Sequence, residues 1–364
     1  MDTKASTAPT PLPQIASRTY IHPKSLTILA TYKCTAACEN CCFGSNPSLT
    51  KRIGLEDILQ FIEEAAVHPS LEVVAFSGGE CFLLGDDLVK AVAFAHSKGL
   101  LTRVVTNGYW AKSMETGRRK LQALKDAGLS ELNVSTGDYH QEWVPHETVV
   151  NAVQLGVELE LDHTLMVVEM QKTRRVSFNT IKEDPRIQAL LAATDKAKFN
   201  IVESPWMPMD ESEVIEQEGL TMLNSDSLHV KEGCHSIFTT VVVNPEREIG
   251  ICCGLSREMI PELNMDWGGK AVADLLEESC NDFMKIWLFV DGPEKILAWA
   301  ASKNPNIDWE NRYAHMCHAC LAIYKSPEVR RTIAQHYRER VDDVLFRYNI
   351  KLRKQEALDG IMYG

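Results

Sequence analysis

The stretch 34-CTAACENC-41, followed by 71-LEVVAFSGGE-80, decides the fold of this chain. The first segment holds Cys34, Cys38 and Cys41 in a Cys-x3-Cys-x2-Cys spacing. The second is an apolar, β-rich run that ends in two glycines and a glutamate, which predicts a buried strand followed by a tight turn. Glycines at such a turn let the backbone approach a ligand closely and offer it their N–H groups.

Composition restricts the possible functions. The 364 residues include 38 Lys and Arg and 50 Asp and Glu, for a net charge of -12, which argues against broad nucleic-acid binding. No apolar run approaches the roughly 20 residues of a membrane helix, and the N-terminus lacks the apolar core of a secretory signal. We therefore predict a cytoplasmic protein without a membrane segment. Eleven cysteines in a reducing compartment indicate metal binding or redox chemistry rather than disulfides.

The spacing of the first cysteine group leaves two kinds of metal site open. Soft thiolates select zinc or iron–sulfur clusters. A cluster held by only three cysteines keeps one iron open for another ligand. The alternative is a zinc site completed by Cys42 or by a distant histidine.

The three cysteines and the Gly-Gly-Glu turn together resemble the radical SAM superfamily. The resemblance implies that Cys34, Cys38 and Cys41 hold a [4Fe-4S] cluster whose open iron binds S-adenosylmethionine (SAM). It also implies that the turn contacts the methionine part of SAM through Gly78, Gly79 and Glu80.

Two positions depart from the pattern of that family and indicate an outlying subfamily. Asn40 stands where an aromatic residue is usual, and Cys81 stands where proline usually follows the turn. A thiol beside the SAM turn could return a hydrogen atom to a substrate radical, which makes Cys81 a candidate catalytic residue. The alternative is that Cys81 fills a small buried space, as free cysteine often does.

Strand-like and helix-like stretches alternate over the first two hundred residues. The predicted strands are 26–32, 71–77, 100–106, 130–136, 159–168 and 198–204, and the predicted helices are 55–67, 85–98, 113–127, 146–156 and 183–194. This alternation predicts an α/β fold with a parallel sheet and right-handed crossovers. By resemblance it is the partial (β/α)6 barrel of radical SAM enzymes, over residues 26–205, after a disordered lead at 1–25.

Polar residues stand at the predicted strand ends, where ligands of parallel sheets gather. Asn107, Ser135 and Asp138 are candidates to contact SAM or the substrate. An Asn-Gly pair is also common in simple turns, which is the alternative for Asn107. His140 is a candidate proton carrier, and Glu169 closes the fifth strand.

A second cysteine group occupies residues 206–325. Its order is a cysteine, a β-hairpin at 236–254, a cysteine, a helical stretch at about 271–302 and then 317-CHAC-320. This order resembles the twitch domain, a shortened SPASM domain of radical SAM enzymes. The resemblance implies one auxiliary [4Fe-4S] cluster with four protein ligands: Cys234, Cys252, Cys317 and Cys320.

The identity of one ligand and of the metal in this second group stays open. Counting from the hairpin turn puts the usual glycine at Arg247 and the ligand at Cys252, although the neighbouring Cys253 is not excluded. A structural zinc site with four thiolates is the alternative. Residues 326–364 predict a C-terminal amphipathic helix that packs on the barrel with a solvated basic face.

The resemblance implies an oxidoreductase that cleaves SAM reductively to a 5′-deoxyadenosyl radical, which removes a hydrogen atom from the substrate. We favour modification of a ribosomally made peptide (a crosslink, epimerisation or thioether) in natural product biosynthesis. The alternatives are dehydrogenation or epimerisation of a small sugar, aminocyclitol or nucleoside precursor, and a zinc-binding scaffold. Expected partners are a flavodoxin or ferredoxin as electron donor. A leader peptide would need a separate leader-peptide-binding protein or would dock directly, because only about 25 residues precede the first strand.

Overall fold

The predicted strands of the first half form a parallel sheet whose spatial order follows the chain. A computed structural model describes residues 22–39, 41–170, 175–205, 222–252 and 259–363. The six strands are β1 (Ser25–Leu29), β2 (Val73–Ser77), β3 (Leu101–Thr106), β4 (Glu131–Thr136), β5 (His163–Met170) and β6 (Phe199–Pro205). The prediction of a mixed α/β fold with an open, partial barrel is thereby confirmed.

Helices connect the strands as crossovers. They are α1 (Leu55–Ala65), α2 (Asp86–Ser97), α3 (Met114–Asp126), α4 (Asp138–Gln141), α5 (His146–Glu158), α6 (Phe178–Lys182) and α7 (Pro185–Ala193). Single polar residues set several of the helix starts. The Ser113 hydroxyl accepts from the Thr116 N–H at α3, and the Asp184 carboxylate accepts from the Arg186 N–H at α7.

Buried and partly exposed side chains alternate along the strands, so the sheet has one face covered by helices and one open face. The fully buried face carries large apolar residues such as Leu26, Ile28 and Phe76, which share one core with the apolar face of α1. The other face is lined by partly exposed small or polar residues: Ser25, Thr27, Ser77, Asn133 and Ser135. The open face is therefore the one that can admit a ligand.

The second half adds three strands to the same sheet. Strand β7 (Thr240–Val243) pairs with β1 in parallel, β8 (Glu248–Gly250) pairs with β7 as the predicted hairpin, and β9 (Asn264–Asp266) pairs with β8. The third strand and the pairing with β1 are absent from the sequence-based expectations. A domain boundary at residue 205 stays a prediction, because residues 206–221 lie outside the described part of the chain.

Five further α-helices follow the hairpin among the described residues; the first packs against α1 and the other four pack on one another. They are α8 (Val272–Ser279), α9 (Phe283–Lys303), α10 (Met316–Lys325), α11 (Pro327–His336) and α12 (Arg338–Tyr363). The predicted tail helix is two helices, and α12 lies against α9, where Arg347 binds the buried Asp291 carboxylate at 2.5 Å. Its basic face is thus only partly solvated. Within the described residues, no helix has the length and apolar character needed to cross a membrane.

Candidate functional site

The loop between β1 and α1 carries the first three cysteines and lies directly against the glycine turn after β2. The Gly79 N–H donates to the Thr31 carbonyl at 2.6 Å, and the Glu80 N–H donates to the Lys33 carbonyl at 3.0 Å. A Cβ atom on Gly78 would lie 2.6 Å from the Thr31 oxygen, and one on Gly79 would lie 2.3 Å from the Lys33 oxygen. Because these are backbone oxygens, only glycine permits the approach.

These hydrogen bonds correct one expectation from the sequence. The turn is predicted to offer its N–H groups to a ligand, but the N–H groups of Gly79 and Glu80 are used by the cysteine loop. The glycines therefore hold that loop against β2. Contacts between SAM and the residues of the turn stay a prediction.

The Glu80 carboxylate ties the turn to the end of β3. It is 1% exposed and accepts hydrogen bonds from the Thr106 hydroxyl at 2.8 Å and from the N–H groups of Phe82 at 3.1 Å and Asn107 at 2.9 Å. Burial raises the pKa of Glu80 to about 7, although these three hydrogen bonds favour its ionised form. Glu80 thus orders the end of β3 from within the protein.

Asn107 connects β3 to the first cysteine. Its Nδ2 group donates to Cys34 Sγ at 3.6 Å and to the Thr35 hydroxyl at 3.1 Å, while its Oδ1 accepts from the Tyr109 N–H at 3.0 Å. Asn107 therefore makes the turn and reaches the candidate site at the same time. The two interpretations that the sequence leaves open for it are compatible.

The three thiols of the loop are neighbours at the carboxyl ends of β1 to β4. Cys34 is buried, while Cys38 and Cys41 are partly exposed, and the Cys38 thiol donates to the Tyr139 carbonyl at 3.7 Å. Burial, followed by the charges of Glu80 and Cys41, raises the pKa of Cys34 to about 11. The contacts with Asn107 and Tyr139 place Cys34 and Cys38 beside the ends of β3 and β4.

The pKa of Cys38 is raised as well, by burial and by a partly different set of charges. Burial, then the charges of Glu169, Cys41 and Cys34, raise its pKa to about 12. No three His, Cys, Asp or Glu side chains of the described residues are arranged around a single metal ion. A cubane cluster, in contrast, bonds each thiolate to a different iron, so its ligands stand further apart than those of a single ion.

A Glu169–His140 pair, of which Glu169 is buried, lies beside Cys38. Glu169 is 6% exposed, and its Oε1 atom contacts His140 Nδ1 at 2.5 Å. Its Oε2 atom is buried and has no hydrogen-bond partner among the described residues. A Cβ atom on Gly137 would lie 1.7 Å from the Glu169 side chain, so the glycine makes room for the pair. Their positions at strand ends were the signal in the sequence, but their pairing was not predicted.

The two candidates at the end of β4 have different surroundings. Ser135 lies on the open face of the sheet and is partly exposed. Asp138 is 6% exposed, and its carboxylate accepts from the N–H groups of Arg175 at 3.1 Å and Val176 at 2.9 Å. Asp138 therefore fixes the segment after β5. Ligand contacts by either residue stay a prediction.

Cys81 lies in the apolar core. It is 0% exposed, its thiol donates to the Val105 carbonyl at 3.3 Å, and burial raises its pKa well above the ordinary value. This environment is the one expected of a packing residue. A hydrogen-donating role for Cys81 stays an untested prediction.

The second cysteine group comes together from distant parts of the chain. Cys234, Cys252, Cys317 and Cys320 line one cavity, whose other walls are apolar: Ile237, Leu263, Leu288, Pro293 and Met316. Burial, then the charges of the other three cysteines, raise the pKa of Cys320 well above its ordinary value. Cys253, the alternative ligand, lies outside the described residues, and Cys280 is not part of the cavity wall.

Two backbone features place these cysteines. The Cys234 N–H donates to the Leu288 carbonyl at 2.8 Å, and α9 kinks at Gly292, which has a φ of 79° and would clash with the Glu232 oxygen if it carried a Cβ. The kink brings the next residue, Pro293, to the cavity wall. In the hairpin turn, Arg247 has a φ of 62°, which is the conformation expected where the family usually has glycine.

Comparison with protein families supports the interpretation of this site. Residues 28–155 match the model of the radical SAM superfamily, and they include the end of β1, the cysteine loop, the glycine turn and strands β2 to β4. The chain contains a radical SAM domain.

Known proteins similar to this chain include YydG of Bacillus subtilis, a protein named for peptide biosynthesis. It is 25% identical over 134 residues, or 37% of this chain and 42% of YydG, so the match spans less than half of that relative. Among solved structures, anSMEcpe with bound AdoMet and the Cp18Cys peptide has a TM-score of 0.49 at 11% identity, covering 90% of this chain and 99% of that one. Streptococcus suis SuiB bound to the precursor peptide SuiA has a TM-score of 0.42 at 12% identity, covering 70% and 64%. Similarities at this level concern the overall fold and do not extend to substrates.

The donor set of the radical SAM domain fits an iron–sulfur cluster. Three thiols converge at the carboxyl ends of the strands, and an amide N–H from Asn107 reaches one sulfur, as outer hydrogen bonds to cluster ligands do. Thiols with raised pKa values release protons when a metal binds, so metal binding here is linked to pH.

Proposed function

We propose that this chain is a radical SAM enzyme in which Cys34, Cys38 and Cys41 hold the SAM-binding [4Fe-4S] cluster. The observation that carries the proposal is that the loop of these three cysteines lies against the Gly-Gly-Glu turn, held by the Gly79 and Glu80 N–H groups, with Cys34 Sγ 3.6 Å from Asn107 Nδ2. When bound, the cluster and SAM supply the reductive cleavage of SAM and the removal of a hydrogen atom from the substrate. The protein positions these groups and keeps water away from them.

The residues of the chain have separate tasks in this proposal. Gly78 and Gly79 hold the cysteine loop at backbone contact distance, and Glu80 fixes the end of β3 from the buried side. Asn107 donates to a ligand sulfur and so favours its thiolate form. Ser135, on the open face, is our candidate to meet SAM or substrate.

We further propose that Cys234, Cys252, Cys317 and Cys320 hold one auxiliary [4Fe-4S] cluster in a twitch domain. Their shared cavity supports this assignment. Four protein thiolates leave no iron open, so the site suits electron transfer or architecture rather than binding of the substrate. Its apolar walls exclude water, which influences the reduction potential of a cluster.

The proposed substrate is a ribosomally made peptide. The name of YydG, which is similar to this chain over 134 residues, supports this class. The open face of the partial barrel gives an extended chain access to the strand ends. A flavodoxin or ferredoxin as electron donor, a separate leader-binding protein and a cytoplasmic location complete the proposal.

Metal analysis tests the two sites. Protein purified and reconstituted without oxygen is expected to contain roughly eight iron atoms per chain, which fall to about four in the Cys34→Ala/Cys38→Ala/Cys41→Ala variant. Zinc at one or two atoms per chain, with no iron–sulfur absorption, would overturn both cluster assignments.

Product analysis tests the reaction. The reconstituted protein, with dithionite and SAM, is expected to release 5′-deoxyadenosine, and the triple variant is not. Incubation with short peptides encoded beside the gene is then expected to change the mass or stereochemistry of one of them. Turnover only with a sugar or nucleoside would contradict the peptide assignment and leave the radical chemistry intact.

A further inference from the structure

The turn between β7 and β8 contacts the loop that carries the first three cysteines. Glu246, at the tip of this turn, accepts a hydrogen bond from the Tyr32 hydroxyl at 2.6 Å and from Lys51 Nζ at 2.5 Å. Tyr32 stands just before the cysteines and Lys51 just after them, and the Tyr32 N–H donates to the Lys51 carbonyl at 3.1 Å. One carboxylate therefore holds both arms of the cysteine loop.

The turn itself is built to present that carboxylate. Asn244 is 6% exposed, and its Oδ1 accepts from the N–H groups of Glu246 and Glu248, both at 3.0 Å. Its Nδ2 donates to Glu248 Oε2 at 2.9 Å. These hydrogen bonds fix the backbone of the turn, so Glu246 has little freedom beyond its own side chain.

A second contact from the same turn holds the helix that follows the loop. Arg247 binds Asp57 of α1 at 2.9 Å, and its guanidinium lies 4.6 Å from the centre of the Trp267 ring. Stacking on an aromatic ring limits the orientations of an arginine side chain. The turn thus contacts the loop at Tyr32 and Lys51 and the following helix at Asp57.

The sheet topology explains why these groups meet. Strand β7 pairs with β1 in parallel, with Val243 opposite Ile28. The carboxyl ends of the two strands therefore lie side by side. The chain leaves β1 directly into the cysteine loop and leaves β7 directly into the hairpin turn. The contact therefore links parts of the chain about two hundred residues apart.

We propose that Tyr32 and Glu246 are positioning residues, through which the C-terminal hairpin holds the cysteine loop in its metal-binding arrangement. The role of the loop rests on the proposed function, but the mechanical contact does not. Exposed ion pairs contribute little, so the Tyr32–Glu246 hydrogen bond, which is partly buried, is the main component and Lys51 the lesser one.

Hydrogen exchange followed by mass spectrometry tests the proposal on the full chain, both without iron and after reconstitution. The variants are Tyr32→Phe, Glu246→Ala and the double variant. Glu72→Ala is the matched control, because Glu72 forms a similar ion pair with Lys24, at 3.3 Å, at the opposite end of β1 and β2. The rate at which a chelator removes iron from the reconstituted protein is the second measurement.

Glu246→Ala is expected to speed exchange in the peptide covering residues 33–46 by about tenfold, and Tyr32→Phe by severalfold, while Glu72→Ala leaves it unchanged. The double variant should resemble Glu246→Ala alone, because the two residues share one hydrogen bond. Iron from the first site should leave faster by a similar factor.

Equal exchange in Glu246→Ala and Glu72→Ala would overturn the proposal, as would additive effects of the two substitutions. If Glu246→Ala also speeds hydrogen exchange in β3 to β5, the exchange of the cysteine loop in Tyr32→Phe decides whether the contact positions the loop, since this variant removes one oxygen atom only. Exchange in the iron-free chain decides the positioning role even if the chain binds no cluster, so the two proposals fail separately.

Discussion

The two cysteine groups of this molecule are built in opposite ways. The first takes three thiols from one short loop and surrounds them with polar groups, among them Glu80, Asn107 and Glu169. The second takes four thiols from three separate segments and encloses them with apolar walls. A site with three ligands and polar neighbours suits a metal that must bind a further molecule, whereas a four-ligand apolar site suits a metal that must not.

The largest expected effect is the loss of one cluster, and only that cluster, when a single cysteine ligand is replaced. Cys41→Ala and Cys320→Ala should each reduce iron from roughly eight to about four atoms per chain, because each removes one ligand from a different cluster. Iron and sulfide analysis after reconstitution measures this.

The matched controls are Cys42→Ala, next to the first group, and Cys280→Ala, which is buried outside the second cavity. Both should retain all the iron. Loss of metal in Cys42→Ala would support a four-thiolate site at the first group, and loss of all iron in Cys320→Ala would show that the two sites are not independent.

The next effect concerns the backbone contact that is specific to the first group. Gly79→Ala should empty the first site and leave the second filled, because the new Cβ would lie 2.3 Å from the Lys33 carbonyl oxygen. Gly54→Ala is the control, since the nearest atom to its Cβ would be 3.8 Å away. Full iron content in Gly79→Ala would show that the loop adapts to a side chain.

A smaller effect concerns the buried carboxylate below the first group. Burial raises the pKa of Glu80 from 4.5 to about 7, so the folded state binds its proton more tightly than the unfolded state. The resulting stability is complete below about pH 4.5 and is lost as the pH rises through 7, a difference of about 3 kcal/mol.

Urea unfolding of the iron-free protein at several pH values measures this effect. The free energy of unfolding of the wild type minus that of Glu80→Gln should fall between pH 4.5 and 8. A difference that is flat or rises with pH would show that Glu80 stays ionised in the folded protein.

The smallest effect concerns the hydrogen bond to sulfur. Asn107→Ala removes the Nδ2 donor that lies 3.6 Å from Cys34 Sγ. It should lower the reduction potential of the first cluster by tens of millivolts, as expected for one hydrogen bond of about 1 kcal/mol, and leave the second cluster unchanged. Potentiometric titration followed by electron paramagnetic resonance resolves the two clusters. An equal shift of both potentials would point to a general loosening.

Local features of the sequence predicted most of the first half. The six strands and five of the helices between them were predicted, because each carries its own apolar pattern and turn residues, whereas the short helices α4 and α6 were not. The convergence of Cys34, Cys38 and Cys41 follows from their closeness in the chain. The shared cavity of the second group was expected from the resemblance, since nothing in the sequence brings Cys234 near Cys320.

What the sequence did not predict depends on contacts between distant segments. The pairing of β7 with β1 joins strands more than two hundred residues apart, and β9 is only three residues long. The use of the Gly79 N–H by the cysteine loop and the Glu169–His140 pair are likewise set by the assembled sheet. Such contacts leave no periodic signal in either partner.

The position of β7 also determines whether the sheet can close into a barrel. A strand has two hydrogen-bonding edges, and β1 uses one for β2 and the other for β7. Strand β6, at the far end of the sheet, therefore has no free edge of β1 on which to close. Among the residues that the structure describes, the sheet therefore stays open beside β6, and we expect a peptide substrate of the proposed kind to extend through this opening.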